Sequence, residues 1–186
     1  MMRLIPHSVV VCTSRSGSAS RGITVSSFNS LSLEPPIVTF HVATPSRTLD
    51  AIRASGRLNI HILTGDVEGA KIAHHFAGNV AAGRPFQEED LLAAGVRQVV
   101  TEDEEDVPVG PPMLSGPGVL YVLSCKLYDK EHNGIVTVSD HAIVLGEILD
   151  IGMGNTVPGR HDNFGLVYAD RHYRQLGSTL ARTPKR

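Results

Sequence analysis

Hydrophobic and polar positions along this chain fall mostly into short runs bounded by turn residues, a pattern of strands more than of helices. Ser8-Val9-Val10-Val11-Cys12-Thr13 reads as a buried strand, ended by the turn-rich Ser14-Arg15-Ser16-Gly17-Ser18. Gly22 to Phe28 resumes an extended pattern, and Leu31-Ser32-Leu33 leads into Glu34-Pro35-Pro36, a stiff break. Ile37 to Val42 is the clearest strand, because four of its six residues are β-branched. Ser46 or Thr48 then caps a helix over Leu49 to Ser55, with Gly56 as its stop. Arg57 to Leu63 alternates with period two, as a half-buried strand should. A second helix is predicted from Asp66 to about Phe76, stopped by Gly78.

Residues 79–112 contain a short helix at Glu88 to Ala94, the acidic run Glu102 to Asp106, and Pro108, Pro111 and Pro112. This stretch is expected to be a surface excursion. Strand character returns at Gly118 to Leu127, Ile135 to Val138 and His141 to Leu149, with a turn at His132-Asn133-Gly134. The C-terminal stretch reads as loop, with an aromatic and basic cluster at Tyr168, Arg171, His172, Tyr173 and Arg174. Strands with one or two inserted helices predict a mainly β architecture, a barrel with helical additions.

The chain has 186 residues, 41% of them apolar and 19% charged, which fits one domain over 1–186 and excludes a disordered linker. The 18 Gly, the 11 Pro and the absence of Trp reinforce the reading of short strands between turns. A net charge of −2 advertises neither nucleic acid nor an anionic membrane. The apolar runs are far too short to span a bilayer, and the start lacks a secretory h-region. Cys12 and Cys125 stand far apart without a CxxC partner, so no metal or disulfide framework is expected. The expectation is a soluble intracellular protein, cytoplasmic or organellar.

Three segments carry candidate chemistry. Thr24-Val25-Ser26-Ser27-Phe28-Asn29-Ser30 sets four hydroxyls in seven residues. Such an edge either faces water or hydrogen-bonds a planar heterocycle close to the backbone. Ser46-Arg47-Thr48 is either a simple N-cap with an exposed arginine or a phosphate cradle at a helix N-terminus. Ser139-Asp140-His141 is either an Asx-type turn or a carboxylate-oriented histidine. His74-His75 lacks metal spacing, and no HExxH, P-loop, GxGxxG or Gly-x-Ser-x-Gly pattern stands out.

Taken in order, these segments resemble the flavin reductase-like family, whose members share the FMN-binding split β-barrel. The resemblance runs through Val9 to Thr13, Gly22 to Pro36, Ser46 to Leu49, Arg57 to Leu63, His75-Phe76-Ala77-Gly78, Asp140 to Ile148 and Arg171 to Leu176. It implies an NAD(P)H-dependent flavin oxidoreductase, passing hydride from NADH or NADPH to N5 of FMN or FAD. Thr24, Val25, Ser26, Ser27 and Phe28 would lie along the flavin, with Ser30 and Leu31 continuing the contact. Ser46, Arg47 and Thr48 would hold its phosphate, and Phe76 would be a flavin-side contact. His141 would position the nicotinamide, with Tyr173 bordering the pocket. The family also implies a homodimer and a partner monooxygenase that receives reduced flavin. Two departures stand out: Ser139 replaces the glycine of the family's Gly-Asp-His motif, and 79–112 is long and acidic. The alternative from another class is a flavin-binding protein without turnover, acting as carrier, sensor or assembly component. A split-barrel oxidase matches the segments less well.

Overall fold

The computed structural model describes residues 2–82, 85–102, 108–129, 134–154, 165–178 and 180. The strands are β1 (His7–Ser8), β2 (Val10–Ser16), β3 (Ala19–Val25), β4 (Asn29–Leu33), β5 (Pro36–Ala43), β6 (Arg57–Leu63), β7 (Arg97–Glu102), β8 (Pro108–Ser115), β9 (Val119–Leu127), β10 (Ile135–Val138), β11 (His141–Met153), β12 (Val167–Ala169) and β13 (His172–Arg174). The helices are α1 (Arg47–Ser55), α2 (Val67–Ala82) and α3 (Glu88–Ala93).

Eight strands form one antiparallel sheet in the order β3-β2-β6-β9-β11-β5-β4, with β10 added on β11. β3 and β4 stand at its two ends, so the curled sheet is not closed among the described residues. β11 makes the curl: His141 to Glu147 pairs with β5, and Gly146 to Met153 pairs with β9. The mainly β split barrel expected from the sequence is the fold observed.

β2 shows why its run is continuously apolar. Val10 and Cys12 point into the barrel core with Phe40, Ile52, Ile60 and Val144. Val9 and Val11 point the other way, into a second core with Ile72, Phe76, Leu91 and Leu114. A strand covered on both faces loses the apolar–polar alternation. The same cover corrects the expectation for β6, where Asn59 and His61 are buried as well as Leu58 and Ile60. β2 also extends to Ser16, beyond the turn predicted at Ser14, and the chain reverses at Gly17, whose φ is +56°.

The first helix begins and ends on its sequence signals. Ser46 Oγ accepts from the Leu49 N–H at 3.2 Å, and Gly56 takes the left-handed conformation at φ 69°. The second does not stop at Gly78. That glycine lacks a positive φ and α2 continues to Ala82, its inner face held by Ile72, Ala73 and Phe76.

Residues 79–112 are more than a surface excursion. Leu91, Ala94 and Val96 are buried in the second core, and β7 and β8 pair as a hairpin. Most of the acidic run, residues 103–106, lies outside the described residues, as do His132 and Asn133 of the predicted turn. The C-terminal stretch is not all loop: β12 pairs with β1 and β13, and Asp170 and Arg171, both with positive φ, make the hairpin turn.

Candidate functional site

The end of β3 divides its side chains by strand alternation. Thr24 and Ser26 turn toward α2 and the C-terminal hairpin, where they line a pocket of about 200 Å3 with Val9, Ala77, Tyr168 and Tyr173. Thr24 Oγ1 donates to the Ala73 carbonyl at 2.6 Å, tying β3 to α2. Tyr173 faces its cross-strand partner Tyr168 with ring centroids 5.5 Å apart. Burial, then the neighbouring Tyr168, raises the Tyr173 phenol above its ordinary range, so it stays a hydroxyl donor at neutral pH.

Val25 and Ser27 turn the other way. Val25 is in the barrel core, and Ser27 Oγ accepts from the His41 N–H at 2.8 Å across the split between β3 and β5. Phe28 is half-buried against the same core, while Ser30 and Leu31 on β4 are exposed. β5 carries the chain from His41 to Thr44, whose N–H donates to the Asp140 carbonyl at 2.8 Å. Ala43 is also the register partner of His141. These pairings bring Ser27, the start of α1 and the 139–141 turn to one end of the sheet.

At that end, Ser46 is the N-cap of α1 and Arg47 is exposed, whereas Thr48 is buried. First-turn amides of a helix have no intrahelical acceptor, and the dipole favours an anion there. His141 is exposed, with Nδ1 2.8 Å from Asp140 Oδ1. That hydrogen bond, followed by the residue's own N–H and the His141 charge, holds the Asp140 carboxyl below its ordinary range. Ser139 adopts φ +53°, the backbone for which the resembling motif uses glycine.

Phe76, like Val25 and Thr48, is withdrawn from the surface. It is wholly buried in the second core, where its ring would meet a Cβ on Gly22 at 2.7 Å and stacks edge-on with Phe86 at 5.5 Å. The contacts it makes among the described residues are packing contacts. Val9, Ala77 and His41 carry no local sequence signal for this site, whereas Tyr168 is signalled by its spacing from Tyr173 across a two-residue turn. A larger cavity of about 440 Å3 between α3 and β7 contains none of the residues singled out in the sequence.

A family model described as the flavin reductase like domain matches residues 1–177. The chain belongs to that family. Among the relatives of this flavin reductase-like chain is the reductase component of a 4-hydroxyphenylacetate 3-monooxygenase from Thermus thermophilus. It is 29% identical over 168 residues, covering 90% of this chain and 87% of that one. An NADH:FMN oxidoreductase from Rhodococcus qingshengii is 32% identical over 146 residues, 78% of this chain but only 64% of the relative's own length. The solved flavin reductase HpaC, complexed with NADP+, superposes with a TM-score of 0.63 at 26% identity, covering 96% of this chain and 95% of that one.

The site's residues fit a flavin. The backbone and the Ser26 hydroxyl at the end of β3 suit a heterocycle's polar edge, and the Ser46–Arg47 helix start suits a phosphate. Among the described residues no helix is long and apolar enough to cross a membrane.

Proposed function

We propose that this chain is an NAD(P)H-dependent flavin oxidoreductase that binds FMN or FAD and supplies reduced flavin to a partner monooxygenase. The observation that carries the reading is the meeting of Ser27, the Ser46–Arg47 helix start and the Asp140–His141 pair at one end of the split sheet, in a chain of this family. Bound flavin supplies the hydride-accepting chemistry. The chain's own residues supply position and charge.

Arg47 would pair with the flavin phosphate, helped by the first-turn amides of α1. The backbone of Thr24 to Ser27 and the Ser26 hydroxyl would border the flavin's polar edge, with Ser30 and Leu31 beyond it. His141, steadied through Nδ1 by Asp140, would offer Nε2 to the carboxamide or diphosphate of the nicotinamide nucleotide. Tyr173 would close the pocket opposite Thr24. The monooxygenase partner is supported by the Thermus relative, the reductase component of a 4-hydroxyphenylacetate 3-monooxygenase.

A homodimer belongs to the same proposal. Leu31 and Leu33 on β4, and Val136 and Val138 on β10, are exposed apolar residues near the ends of the sheet that carry Ser30 and His141. A second copy covering them would also complete the walls of the site.

The test is to load the protein with FMN, remove the excess, and add NADH and then NADPH under nitrogen. Rapid bleaching of the bound flavin is expected. Tight binding without bleaching by either nucleotide would move the assignment to a carrier or sensor.

A further inference from the structure

The β7–β8 hairpin is fastened to the barrel in an unusual way. Thr13 Oγ1 donates to the Pro112 carbonyl at 2.6 Å, and Asn59 Nδ2 to the Pro111 carbonyl at 3.0 Å. Arg15 Nε donates to the Gly110 carbonyl at 2.8 Å. His61 completes the row, with Nδ1 3.1 Å from the Val11 carbonyl and Nε2 2.9 Å from the Leu114 N. A carbonyl only accepts and an amide only donates, so the ring is neutral with its proton on Nδ1. Among the described residues β8 pairs only with β7. Its prolines at 108, 111 and 112 have no N–H to give a neighbouring strand. Side chains of β2 and β6 therefore do what a strand ladder does elsewhere in the molecule.

We propose that the β7–β8 hairpin is a strap able to release from an otherwise folded barrel, and that protonation of His61 triggers the release. A second proton on the ring would set Nε2–H against the Leu114 N–H, donor facing donor, at a residue with 0% exposure. The carboxylates nearby already hold cations: Glu147 of β11 pairs with Lys126 at 3.1 Å and Glu68 of α2 with Lys71 at 2.9 Å. The same face of the sheet also carries Arg15 and Arg57; α2 adds His74 and His75, β7 adds Arg97, and β8 has no charged residue. Arg15 is itself buried, with Nη2 unpartnered among the described residues, so a second buried cation nearby is costly.

Burial pushes the His61 imidazole down from 6.5 to about 4. With the strap released from β6 the His61 ring returns toward its ordinary value, so the released form binds the proton more tightly. The latch is therefore intact above pH 6.5 and weakens as pH falls toward 4, by on the order of 10²-fold in the closed-to-open ratio. A lone hairpin has little stability of its own, so release removes its protection. It also uncovers the second core, which seats α2 behind the Thr24–Tyr173 pocket.

Hydrogen exchange by mass spectrometry on the full chain, corrected for intrinsic rates, tests this between pH 7 and 4. Amides of 97–102 and 109–115, with Leu114 the direct reporter, should lose protection by on the order of 10²-fold relative to β5, β9 and β11. His61→Gln, which cannot charge, should keep the strap's protection flat with pH. Equal loss in strap and barrel, or the same acid loss in His61→Gln, would overturn the proposal. Should that variant fail to fold, Asn59→Leu decides: strap exchange should rise at pH 7 with the barrel unmoved, and a uniform rise would overturn it.

Discussion

At the β3 end of the site, Thr24 and Ser27 already spend their hydroxyls inside the protein, on the Ala73 carbonyl and the His41 N–H. At the α1–β11 end, Arg47 and His141 are exposed, and among the described residues only the Asp140 side of the histidine ring is bonded. The first end is framework that shapes a pocket. The second holds the groups left over for a ligand. Residues that hold the fold and residues left for a ligand thus lie on different elements, β3 against α1 and β11, and their substitutions should separate cleanly.

The largest effect lies behind the pocket. Phe76→Ala should cost about 3–5 kcal/mol in urea denaturation, as for a fully buried aromatic. Retained stability with a selective loss of flavin affinity would instead return Phe76 to the flavin side. Next is Arg47→Ala, expected to weaken FMN binding by about 10- to 100-fold with stability changed by less than about 0.5 kcal/mol. Riboflavin, which has no phosphate, should bind the two proteins alike. Thr24→Val should do the reverse, losing about 1 kcal/mol of stability with its bond to Ala73. The smallest effect is at the turn before the histidine. Ser139→Gly should stabilise by about 0.5 kcal/mol, because glycine occupies a positive φ without the Cβ clash.

The sequence showed its strands where β-branched residues cluster, as at Ile37 to Val42, and its first helix where Ser46 and Gly56 flank it. It misled where burial came from a distant segment. Arg57 to Leu63 looked half-buried because Asn59 and His61 are polar, yet both are spent on β2 and on the carbonyls and amide of β8. The prolines of β8 hid a strand, since a strand held by its carbonyls needs few donors of its own. Gly78 looked like a stop because the packing that holds α2, through Ile72, Ala73 and Phe76, comes from segments distant in sequence. For the site, the three polar segments were legible singly. Their meeting depends on the β5–β11 register, which no local pattern encodes.

The central claim is that the exposed end carries nicotinamide-driven chemistry. Stopped-flow reduction of bound FMN by NADH under nitrogen, comparing the unaltered protein with His141→Ala, tests it most directly. The account predicts unchanged flavin affinity and at least about tenfold slower reduction at subsaturating NADH, equivalent to about 1.4 kcal/mol. Equal reduction rates at every NADH concentration would contradict it.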